Sequence, residues 1–173
     1  MSDTQTQSQS GLEKLLGKLC AISAGFGGLI LVSLALMTLA SVIGRAFFSS
    51  PIQGDIELVQ LGCAVCVASF LPYTQFQKAN IIVDFFTANS SDTTKSWLDG
   101  IGTLILTVSF ALITWRLSIG YLTVKENAET SMLMSVPIWI PYVLMLPGLT
   151  LTTIVGAVQT FDYFTTAAKG SQA

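Results

Sequence analysis

Four long stretches of this chain carry no ionisable side chain, and their lengths constrain the fold more than any other feature. No Asp, Glu, Lys or Arg lies between Lys18 and Arg45, between Glu57 and Lys78, between Asp99 and Arg116, or between Glu129 and Asp162. Across all 173 residues, 51% are hydrophobic and only 10% are charged. A soluble domain carries about a quarter charged residues, so this chain cannot coat a globule with ionised groups. The same numbers exclude intrinsic disorder, a nucleic-acid binder and a secreted disulfide scaffold. A formal net charge of -2 gives no purchase to a polyanionic partner. The chain belongs in a lipid bilayer.

A helix needs about 20 apolar residues to cross a hydrocarbon core of about 30 Å. Leu19 to Gly44 supplies 26 uncharged residues and Leu58 to Gln77 supplies 20. A third span reads from about Trp97 to Leu117. Its Trp97 and Trp115 lie roughly 27 Å apart along a helix, one aromatic anchor for each interface. The fourth runs from about Pro137 to Phe161. The expectation is an all-α membrane protein with four transmembrane helices over residues 12–165. Residues 1–11 read as a disordered N-terminus and residues 166–173 as a tail. The first span is too long for a signal-peptide core and its Leu39-Ala40-Ser41 stretch is a poor cleavage site, so a retained signal anchor is expected.

Orientation follows from basic residues near the span ends. One side collects Lys14, Lys18, Lys78, Lys95 and Lys169; the other collects Arg45, Lys125 and, by snorkelling, Arg116. Five against three places both termini in the cytoplasm. The outer connections are then Ala46 to Ile56, with Pro51 and Gly54, and Tyr121 to Val136, with Lys125, Glu126 and Glu129. In the inner connection, Lys78 to Ser96, residues Ile81, Ile82, Phe85 and Phe86 share one helical face while Asn80, Asp84 and Thr87 point elsewhere. A short amphipathic helix on the inner membrane surface is expected there, with Ser91 or Asp92 capping the next helix.

The residue types narrow the chemistry. Histidine is absent, which removes His-held haem, His-ligated metal and His general-base catalysis. No ionisable group falls in the middle of a span, where transporters keep one only when it works. No catalytic residue, cofactor or metal site is expected. Pro72, Pro141 and Pro147 interrupt spans two and four. Pro147 frees the carbonyl of Val143, which either binds an ion or is a kink satisfied by neighbouring helices. Cys63-Ala-Val-Cys66 raises the alternative of a four-helix membrane thiol oxidoreductase. Thiolate chemistry needs water and nearby positive charge, and no basic residue is near in sequence. A self-sufficient small transporter is the other alternative.

Apolar helices associate in lipid through small residues that allow close approach. Gly148, Thr152, Gly156 and Thr160 recur at i+4 in span four. Span one offers Ala21 with Gly25, and Ala24 with Gly28. These ridges serve either packing within the chain or docking on another membrane subunit. Asp55 and Glu57 enter span two, where Asp55 suits an N-cap and both acids suit the helix dipole. Contact with an external partner is the second reading for both. Asp84 is open between a solvated face and a polar tie to a partner helix.

Three stretches together resemble a known family. They are Arg45-Ala-Phe-Phe-Ser-Ser-Pro51 leading into Gly54-Asp55-Ile-Glu57-Leu; Lys78-Ala-Asn80-Ile-Ile-Val-Asp84; and Pro137-Ile-Trp139-Ile-Pro141-Tyr142 continuing to Pro147-Gly148. From about Leu12 to Phe161 the chain is similar to the small membrane subunit, DctQ, of tripartite ATP-independent periplasmic (TRAP) transporters. The family's inner stretch often carries Gly-His where Ala79-Asn80 stand here, so no role of that His carries over. The resemblance implies that Arg45, Pro51, Glu57, Asp84, Trp139, Tyr142 and Pro147 are structural or interface positions. It also implies two partners, a large membrane (M) subunit and a periplasmic substrate-binding protein. Together they form a sodium-driven uptake system for small organic acids, in which this subunit widens the fixed scaffold and offers part of the docking surface. Partner-interface positions expected from the outer-loop charges and the small-residue ridge are Asp55, Glu57, Glu126, Glu129, Gly148, Thr152 and Gly156.

Overall fold

A computed structural model describes residues 11–48, 53–78 and 92–170. Four helices follow in order: α1 Gly11–Phe48, α2 Asp55–Phe76, α3 Asp92–Glu126 and α4 Trp139–Gly170. All four are long and apolar enough to cross a membrane, and no strand occurs among the described residues beyond a single bridge between Thr130 and Pro137. The helices overrun the spans read from charge. Helix α1 starts eight residues before Leu19 and carries Glu13, Lys14 and Lys18 in its first turns. Helix α3 continues through Glu126, so residues 121–126 are helical rather than loop, and α4 runs past the expected tail boundary to Gly170. Loss of hydropathy marks where lipid ends, not where backbone hydrogen bonding ends. Pro51, Asp84, the N-terminal Met1 to Ser10 and the expected inner-surface helix lie outside the described residues.

The arrangement is a row rather than a closed bundle. Helix α2 packs on α1 and α4, and α4 packs on α2 and α3, giving the spatial order α1–α2–α4–α3. Among the described residues the backbones of α1 and α3 never approach, nor do those of α2 and α3. Helix α1 reaches α4 only at the end that holds the termini, where Leu16 and Cys20 meet Val155. Burial follows this order. About a third of α4's apolar window is buried (33%), against 11% for α1 and for α3.

Glycines set the close approaches. A Cβ on Gly148 would collide with the backbone carbonyl of Ala68. That carbonyl has lost its helical donor, because the residue four positions on is Pro72. The kink in α2 and the bare Cα of α4 therefore meet at one point, where a weak Cα–H to carbonyl contact can form. On the other flank Gly156 lies against Thr107 of α3, and Gly27 of α1 lies against Ser69 and Cys66 of α2. Serine and threonine hydroxyls on lipid-facing turns return to the carbonyl four residues back, as Ser33 does to Leu29 and Thr150 to Leu146. Among the described residues the buried Thr103 hydroxyl of α3 is the one left without a partner.

Candidate functional site

Polar side chains gather at the two ends of α2, and each gathering ties one helix to another. At the end bearing the α1–α2 and α3–α4 connections, Gly54 is the N-cap of α2, with φ of 77° and no side-chain cap. Any side chain there would also strike Met134. Asp55 is therefore the first helical residue, not the N-cap expected from cap preferences. Its Oδ2 accepts a hydrogen bond of 2.6 Å from the buried Ser41 hydroxyl of α1, and its Oδ1 accepts from the Ile56 N–H at 2.8 Å. Arg45 stands 3.7 Å away and is itself 63% exposed, so the ion pair adds little. The Ser41–Asp55 bond is what fastens α1 to the start of α2.

Glu57 serves the other connection. Its carboxylate accepts the Ser131 hydroxyl at 2.6 Å, the Leu133 N–H at 3.1 Å and the Met134 N–H at 3.4 Å. The 131–136 segment folds back on itself, with Ser131 N–H donating to Val136 carbonyl at 2.9 Å and Ile138 N–H to Glu129 carbonyl at 3.1 Å. A single side chain of α2 thus holds the turn that leads from α3 into α4. Charge-assisted bonds to backbone N–H groups are the strong kind. Neither acid is free for an external partner in this arrangement. Glu126 and Glu129 are exposed, and Glu129 accepts only a 3.2 Å bond from the nearby Asn127 amide among side chains.

At the opposite end a pair of glutamines does the same work. Gln75 of α2 donates to Gln159 Oε1 of α4 at 3.0 Å. The Gln159 amide donates in return to the carbonyls of Gln75 at 2.8 Å and Phe76 at 3.3 Å. The last carbonyls of a helix have no internal partner, so α4 caps the C-terminus of α2. Both side chains are buried. Sequence reasoning missed this pair, as it missed Ser41 and Ser131; a glutamine within an apolar stretch is a visible signal, but its partner 84 positions away is not.

The remaining expected positions divide clearly. Gly148, Thr152 and Gly156 are buried, and Gly148 and Gly156 lie against neighbouring helices of this chain. Tyr142 lies against Gly120 of α3. Trp139 opens α4 and is 36% exposed. Pro147 is exposed and borders, with Val143 and Phe26, an open apolar groove between α1 and α4. Gly25 and Gly28 on α1 have nothing near them, so those small-residue registers remain open. The cysteine pair is split: Cys66 is buried and donates to the Gly27 carbonyl, while Cys63 is exposed beside Phe110 and Met145. Among the described residues no three His, Cys, Asp or Glu side chains gather to hold a metal ion.

What this arrangement can do is hold helices in register while leaving the broad faces of α1 and α3 bare. Comparison with curated proteins and with solved structures finds no match. The family model described as tripartite ATP-independent periplasmic transporters, DctQ component, matches residues 34–166. That match covers most of the chain, from late α1 almost to the end of α4, and the chain belongs to the DctQ family of TRAP-transporter small membrane subunits.

Proposed function

We propose that this subunit is the stationary scaffold beside the large membrane subunit of its transporter, in a sodium-driven uptake system for small organic acids. The family is a transporter component rather than an enzyme family. The observation that carries the scaffold reading is the α1–α2–α4–α3 row, whose ionisable groups sit near the helix ends and whose outer helices leave long apolar faces uncovered. A protein that moved solute by itself would need a polar path or a working charge in mid-membrane. A scaffold needs rigid helices and surface to share.

The loop end faces the periplasm in this reading, with both termini in the cytoplasm of the inner membrane. Glu126 and Glu129 are the acids available to a docking binding protein, because Asp55 and Glu57 are spent on internal ties. Reversing both exposed acids to lysine should weaken uptake in the assembled transporter without changing subunit assembly. Unchanged uptake kinetics would remove them from the docking surface.

The scaffold reading is tested in proteoliposomes. Purified alone, the chain should give no sodium-dependent organic-acid uptake, and uptake should require the large subunit and the binding protein. Solute flux from the chain alone would overturn it.

A further inference from the structure

The turn held by Glu57 displays an apolar tip that neither the fold nor the scaffold role explains. Met132 is 97% exposed and Leu133 is 71% exposed, with Met134 beside them. Exposed large apolar side chains in a row are unusual at a loop that faces water. The backbone around them is also bonded internally. Ser131 N–H donates to Val136 carbonyl and Ser135 N–H to Ser131 carbonyl, while Leu133 and Met134 N–H groups donate to Glu57. Four of five consecutive N–H groups from Ser131 to Ser135 are thereby bonded inside the protein. Those bonds hold the apolar side chains in one presentation and leave the backbone beside them able to sit against a dry surface without losing partners.

The height of the tip says which dry surrounding it meets. Helix α2 has 22 residues, about 33 Å at about 1.5 Å per residue, against a hydrocarbon core of about 30 Å. Its two ends therefore lie at the core boundaries. Glu57, in the first turn, fixes the tip through bonds of 2.6 to 3.4 Å, so the tip sits at that boundary. The headgroup layer beyond it is about 5–8 Å deep on each side. Trp139, which opens α4 a few residues on, is at the same end and is an interfacial residue type.

We infer that Met132, Leu133 and Met134 form an interfacial anchor. They seat in the boundary between headgroups and acyl chains of the leaflet at the loop end, and Glu57 is the latch that presents them. The partner is the lipid surface itself. Because the latch belongs to α2 while the tip precedes α4, the anchor fixes the depth of the central helix pair against the bilayer.

The test places an environment-sensitive bimane label at Met132→Cys, with Asn127→Cys as the control on the same connection. A Cys63→Ala background is used because Cys20 and Cys66 are buried. The chain is reconstituted in phosphatidylcholine vesicles with and without lipid carrying a doxyl quencher at carbon 5. The anchor predicts blue-shifted emission at 132 and quenching severalfold stronger than at 127. Equal, water-like emission and no lipid quenching at both positions would overturn it. So would a label at 132 that is unquenched by lipid and becomes shielded only when the large subunit or binding protein is added, since that marks a protein-docking tip. Glu57→Gln should reduce the quenching at 132 severalfold with helix content unchanged; undiminished quenching would overturn the latch.

Discussion

The inner helix pair, α2 and α4, and the flanking pair, α1 and α3, are built on different terms. The inner pair meets through a glycine set on a proline-freed carbonyl, and is tied at one end by Gln75 and Gln159 and at the other by Glu57 and the turn into α4. Each flanking helix leans mainly on one inner neighbour and leaves most of its circumference bare. Lipid offers no hydrophobic force to gather helices, so contact forms where shape and hydrogen bonding demand it. The difference teaches that this chain spends its specific chemistry on a central seam and leaves its flanks as surface for other molecules.

The seam can be broken most directly at Gly148. Gly148→Val would drive side-chain atoms into the Ala68 backbone, which cannot swing aside as a side chain can. Overpacking costs roughly 1–3 kcal/mol and sometimes more, and a rigid backbone neighbour puts this site at the upper end. A large fall in the thermal unfolding midpoint in detergent is expected. Gln159→Leu comes next, because it removes the bond between the two glutamine side chains and the side-chain donor to the Phe76 carbonyl, while the Gln75 carbonyl keeps the Lys78 N–H. Removing partners from buried polar groups costs about 1–3 kcal/mol, again read as a lowered midpoint. Ser23→Ala removes a 2.9 Å bond to the Ser69 carbonyl between α1 and α2, and should cost only about 0.6 kcal/mol, the average for such bonds within membranes. Gly25→Ala and Gly28→Ala should leave the isolated chain unmoved, since nothing stands within reach of the added methyl. If those two proved as damaging as Gly148→Val, the contrast between seam and flank would fail.

Much of this was legible in the sequence, and the illegible part has a physical reason. Charge-free stretches announce lipid-spanning helices because ionised groups cannot be afforded there, and all four spans stand where those stretches are. The residues near span ends were also visible: Asp55 and Glu57 mark the entry to α2. Their roles were not, because a carboxylate beside a helix N-terminus looks the same whether it caps that helix, faces a partner or, like Glu57, captures amides 76 and 77 positions away. The ridge of Gly148, Thr152 and Gly156 likewise shows that something approaches closely, without showing whether it is α2, α3 or another protein. Helix order is the least legible feature of all, since apolar surfaces in lipid carry no pattern that distinguishes a row from a closed bundle.

The most direct measurement is a photocrosslinking scan of the assembled transporter. A photoreactive amino acid would be placed at exposed positions on the flanks, Leu36 of α1 and Ile105 and Leu112 of α3, and at the seam position Leu149 of α4, which is buried. The account predicts adducts to the large subunit from at least one flanking helix and none from the seam. Adducts from Leu149 with both flanks silent would show that the surface shared with the large subunit is the one assigned here to the chain's own packing, and would contradict it.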